Sequence, residues 1–206
     1  MNTTPIVMTV IVNDSKNFSL YSLYHALGQG FLEFYPILSS SILHSEWENT
    51  DYRKIVKRAK PELFKKIVAT TEGNYFKKGN VEFLFLPLSY QGQDPTSIKR
   101  AQLAHFNGVF IQEDYSESFF KVTLNSLVDM SSGKQAAAVM HSVHRAFCES
   151  SIKVRDEWES RGFDFVIENS VITIDKDYDV IIHDLGYTEV PTGTITVAGE
   201  WLHPQD

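Results

Sequence analysis

Between Gly133 and Gly162 the apolar residues Ala136, Val139, Met140, Val143, Phe147, Val154 and Trp158 recur at steps of three and four, the spacing of one helix face. The pattern predicts a single long helix over about 134–161, interrupted only near Ser150 and Ser151. Ser131 and Ser132 offer N-cap oxygens, and Gly162 can adopt the left-handed conformation that ends a helix. At about 1.5 Å per residue such a helix spans roughly 40 Å, enough to cross a whole sheet.

The rest of the chain reads mostly as strands. Pro5 to Val12 is a β-branched apolar run, and Val81 to Leu86 is apolar on both sides, as in a strand buried on both faces. Asn107-Gly108 is a hairpin signal between runs at 100–106 and 109–115. A further strand is expected around Ser118 to Leu127, and a meander over 163–168, 171–174, 180–183 and 194–201. Helices are expected in two other places. Phe18 to Tyr35 is densely aromatic, with spacings that favour a helix from about Ser19 to Leu27 before Gly28 and Gly30 loosen it. Residues 51–78 read as two short helices, the first with Tyr52, Ile55, Val56 and Ala59 inward, the second opened by Pro61.

No βαβ alternation and no repeat period is visible, so the expected fold class is α+β. It comprises a mainly antiparallel β-sheet, the long helix packed across it, and a helical N-terminal region. The expected organisation is an N-terminal subregion, 1–80, and an α+β core, 81–206, forming one unit.

Charge changes this picture more than composition does. The net charge is −7, but residues 51–78 carry nine basic and three acidic side chains, whereas residues 113–206 carry seventeen acidic and seven basic. Opposite patches of this kind can attract another copy or another protein. The interface candidates are therefore Arg53, Lys54, Lys57, Arg58, Lys65 and Lys66, with Tyr21, Tyr24, Phe31 and Phe34 as aromatic anchors should they be exposed. Packing in the core is the commoner fate of aromatics at this density. Nucleic acid is the other partner that the basic segment could take. With no apolar run near eighteen residues and no N-terminal leader pattern, no membrane partner and a cytoplasmic location are expected. A single cysteine excludes an internal disulfide framework.

Chemistry-bearing motifs are sparse. His141, His144 and Cys148 share one face of the long helix and are the candidate metal ligands, although a closed zinc site needs a fourth ligand from elsewhere. Gly28-Gln29-Gly30 lacks the strand context of a nucleotide loop. Asp175, Asp177 and Asp179 begin like a calcium loop, but Val180 stands where glycine is obligatory. His183-Asp184 can act as an acid–base pair only with a partner from another part of the chain. No cofactor is called for.

The order of a strand, a long helix and then strands to the C-terminus, over roughly residues 80–202, resembles phage tail-terminator and neck proteins. That resemblance implies a virion subunit that forms rings. The first expectation is thus a non-enzymatic assembly subunit, a homo-oligomer or part of a hetero-assembly. Its alternatives are a small metal-dependent hydrolase or nuclease using His141 and His144, and a nucleic-acid-binding protein acting through residues 51–78.

Overall fold

In the computed structural model, which describes residues 4–15, 17–50, 52–111, 118–186 and 189–202, the β-branched run Ile6–Asn13 forms β1. All of its residues are buried. After β1 come α1 (Leu20–Ser39), α2 (His44–Glu48), β2 (Lys54–Ala59), α3 (Pro61–Thr70), β3 (Asn74–Lys78) and β4 (Val81–Phe85). Three short elements follow, β5 (Ser89–Tyr90), α4 (Thr96–Lys99) and β6 (Gln102–Leu103). The second half holds β7 (Phe120–Asn125), α5 (Ser132–Glu149), α6 (Ile152–Ser160), β8 (Phe165–Ser170), β9 (Val180–His183) and β10 (Ile195–Trp201). The fold is α+β.

The strands form two mixed sheets, ordered β3-β4-β1-β2-β6, with β5 also paired to β1, and β9-β10-β7-β8. In each, the first strand of the half pairs in parallel with the strand after its helices and antiparallel with the second strand of a following antiparallel pair, β3-β4 or β9-β10. The parallel registers coincide: Met8 lies opposite Lys54 and Asn13 opposite Ala59, as Phe120 lies opposite Phe165 and Asn125 opposite Ser170. The chain is therefore two copies of one unit, contrary to the expectation of no repeat. The copies agree in detail. Ser19 and Ser131 both cap the following helix by accepting from the N–H three residues on. Trp47 and Trp158, each fully buried, donate their indole N–H to the carbonyls of Arg53 and Asp164 at 3.2 and 2.8 Å. Tyr52 and Phe163, at equivalent positions, are the two described non-glycine residues with positive φ, 46° and 55°.

Helices α1 and α5 pack on one another between the sheets. Each lies over its own sheet and also over the outer parallel strand of the other half, α1 on β8 and α5 on β2. One hydrophobic core consequently runs through both halves.

Several expectations are corrected. The long helix is two helices. Ser150 is extended (φ −78°, ψ 157°), and the Ser151 hydroxyl caps α6 by accepting from the Val154 N–H, because serine side chains compete with helical backbone bonding. Conversely α1 runs through Gly28, Gly30 and Pro36 to Ser39. Those glycines allow close approach: a Cβ at either would come within 2.5 Å of the Phe165 or Phe83 ring. The first basic helix is strand β2, since Ile55 and Val56 pair with β1 and the short apolar run fits either period; the second is α3, as expected. Asn107-Gly108 turns no hairpin among the described residues, and 112–117 lie outside them. Residues 171–174 form no strand. Both sheets are mainly antiparallel, as expected, each with one parallel pair, β1 with β2 and β7 with β8; β4 ties residues 81–85 to β1 and β3, so the first sheet crosses residue 80.

Candidate functional site

Parallel pairing with β1 sets the alternation of β2, and Lys54, its first residue, turns inward with Val56. Lys54 is 7 % exposed. Its Nζ lies 3.2 Å from His141 Nδ1 and 3.5 Å from His144 Nδ1, both on α5. The rings of Phe31, Trp47 and Tyr52 stand 4.9, 4.9 and 5.8 Å from it. No carboxylate pairs with it among the described residues. Burial drives the Lys54 amine well below the usual lysine range. The same burial, with Lys54 nearby, pushes His141 and His144 well below the usual histidine range. Nζ is within hydrogen-bonding reach of both Nδ1 atoms, with donor and acceptor set by the tautomer of each ring. His144 Nε2 is buried without a hydrogen-bond partner.

This cluster forms part of the wall of a cavity of about 1020 Å³ between β2, α5 and the segment after β9. Apolar side chains, among them Ile55, Val56, Leu103, Ala137, Ala138 and Ile182, line much of it. Lys134, in the first turn of α5, forms an ion pair with the buried Asp184, which also accepts the Gly186 N–H at 2.7 Å. The N-cap Ser131 donates its hydroxyl and its N–H to Glu189, at 2.7 and 3.2 Å. These bonds tie the segment after β9 to the start of α5 and fix one side of the cavity. Asp184 is thus engaged by Lys134, whereas the exposed His183 places its Nδ1 3.2 Å from the Gly193 carbonyl, so the two members of the dipeptide have separate partners. On another side Arg145 holds Glu149 at 2.7 Å and donates to the Ile181 carbonyl at 3.2 Å.

The expected metal ligands do not assemble as one set. His141 and His144 meet at Lys54, whose amine occupies the space between them. Cys148 instead lies with Glu48 and His144, one ligand atom of each within 4.8 Å of the others. Tyr35 engages two of these three, donating its hydroxyl to Glu48 at 3.0 Å and accepting the Cys148 thiol at 3.5 Å. Burial raises the Cys148 thiol, which disfavours the thiolate that a metal requires. The trio carries no metal assignment.

The interface candidates are dispersed. Tyr21, Tyr24, Phe31 and Phe34 are core residues, each at most 2 % exposed. Lys54 faces the cavity. Arg53 bonds Gln91; Lys57 pairs with Asp94 at 2.7 Å and Arg58 with Asp14 at 3.3 Å. Lys65, beside Glu62, and Lys66 are exposed on α3. The basic segment is divided among a strand, a helix and a second strand.

The second half lacks an equivalent lysine. By the shared register, the residue matching Lys54 is Phe165, whose ring stacks on His25 at 4.6 Å and fills the space above Gly28. The positions in α1 that match His141 and His144 are Gln29 and Leu32, counted from the two serine caps. Comparison with protein-family models, curated proteins and solved structures finds no match for the chain.

Proposed function

We propose that the chain is an enzyme acting on a small organic molecule, with this cavity as its active site and Lys54 as nucleophile. The observation that carries the reading is one amine, without a carboxylate partner among the described residues, placed in the wall of a cavity of about 1020 Å³ between two imidazole nitrogens. Desolvation favours the uncharged amine, whose lone pair is what a nucleophile needs. His141 and His144 are within reach to take and return its protons. The volume suits a substrate larger than a few atoms, and the bonds of Asp184 and Glu189 to the start of α5 hold one side of it. An assembly role rests on element order and charge layout and makes no use of the cavity, which is why the enzyme reading stands first.

The test is a burst assay with p-nitrophenyl acetate. The wild-type protein is expected to release one equivalent of p-nitrophenolate per chain and to retain the acetyl group on Lys54, because the amide formed is stable. The K54M variant is expected to show no burst. Equal release from both proteins would overturn the proposal.

A further inference from the structure

Lys54 and Phe165 hold the same place in two copies of one unit. Phe165 shows that an apolar ring fills that place, with its face on His25 and its edge over Gly28. The equivalent place in the second half is thus filled without a lysine, and burying an amine costs free energy that an apolar side chain does not. What Lys54 has instead is a specific setting. Phe31, Trp47 and Tyr52 exclude water on one side, two histidine nitrogens lie at 3.2 and 3.5 Å, and the cavity opens on the remaining side. The dry surroundings and the apolar residues Ile55, Val56, Ala137, Ala138 and Ile182 favour a neutral, largely hydrocarbon ligand over a strongly hydrated one.

We infer, building on the reading above, that Lys54 condenses in this cavity with the carbonyl carbon of an aldehyde or ketone carrying an apolar body, forming an imine. The Nζ lone pair attacks the carbonyl carbon, the C–N bond forms, and the C=O π electrons move to oxygen. A first amine proton passes through His141 Nδ1 to that oxygen and gives the carbinolamine. The second proton leaves Nζ by the same histidine pair and joins the hydroxyl, which departs as water while the C=N bond forms. The sum is amine plus carbonyl giving imine plus water, so no oxidant or reductant is consumed. Exclusion of bulk water by the aromatic rings slows the reverse hydrolysis.

The experiment treats the full-length protein with benzaldehyde and sodium borohydride and reads intact mass and peptide map. One benzyl group per chain is expected, on Lys54. None should appear without borohydride or in K54M, whose thermal transition verifies that it folds. Pyruvate, which is small and charged, should be trapped roughly tenfold less, the effect of losing a few apolar carbons from a buried site. Benzyl groups spread over surface lysines, or retained in K54M, would overturn the inference, and equal trapping of pyruvate would remove its apolar specificity. If p-nitrophenyl acetate still acetylates Lys54 while borohydride traps nothing, the imine is refuted and the nucleophile stands. If neither reagent reaches Lys54, both fall.

Discussion

Replacing Lys54 with methionine is expected to make the protein more stable. The side chain is 7 % exposed, with no carboxylate beside it among the described residues. Every unit by which burial lowers its pKa represents about 1.4 kcal/mol lost from folding at a pH where the unfolded chain keeps the proton. Exchanging buried ionisable groups for apolar ones of similar volume typically gains about 1–4 kcal/mol. That figure is already net of the polar contacts given up, here those with His141 and His144. A net gain of about 1–4 kcal/mol at pH 7 follows, or roughly 3–12 °C in melting temperature for a chain of this size. The pH dependence fixes the cause. Because the folded-state pKa is lowered, the unfolded chain binds more protons between that value and about 10.4. Wild-type stability should therefore climb with pH through this window by about 1.4 kcal/mol per unit relative to K54M, and level off above it. Urea denaturation of both proteins from pH 6 to 10 measures this directly. A K54M variant less stable than wild type at pH 7, or a difference constant across the range, would refute the reasoning.

Three further outcomes test the architecture around the site. W47F and W158F each remove one buried indole donor from an equivalent carbonyl and are expected to cost similar amounts, about 1–3 kcal/mol in denaturant unfolding; costs differing by more than that range would count against the duplicated unit. K134M strips the cation from the buried Asp184 and should destabilise by about 3–5 kcal/mol, with proteolysis of the segment after β9 increasing; an unchanged melting curve would show the pair to be dispensable. G28A places a methyl group 2.5 Å from the Phe165 ring and should cost about 1–3 kcal/mol, of which F165L in the same chain should restore part, since contacting residues are not additive.

Much of the fold was legible where period and length agreed, as in β1, β4, β7 and the start of α5. Reading failed where a short window fitted two periods. Ile55, Val56 and Ala59 suit a helix face, yet pairing with β1 makes them a strand. Gly28 and Gly30 look like helix breakers until the Phe165 and Phe83 rings that press on them are known, and those come from distant parts of the chain. The duplication did leave a trace in the sequence, Glu46-Trp47-Glu48 against Glu157-Trp158-Glu159 at a period of about 111 residues. The trace is faint because the helices and strands around it share few identities. The site was half legible. His141 and His144 were picked out on one helix face, but as metal ligands, because nothing local shows that Lys54 fills the space between them. Lys54 was grouped with solvent-facing cations; only the β1 register turns it inward. Asp184 lacked a visible partner until the fold brought Lys134 to it.

The most direct test of the central claim is the titration of Lys54 itself, by brief competitive acetylation with acetic anhydride across pH and quantification by peptide mass spectrometry. Lys54 is expected to become reactive at a pH well below the ordinary lysine range. A Lys54 that titrates within that range, or that stays unreactive at every pH in the folded protein, would contradict the claim.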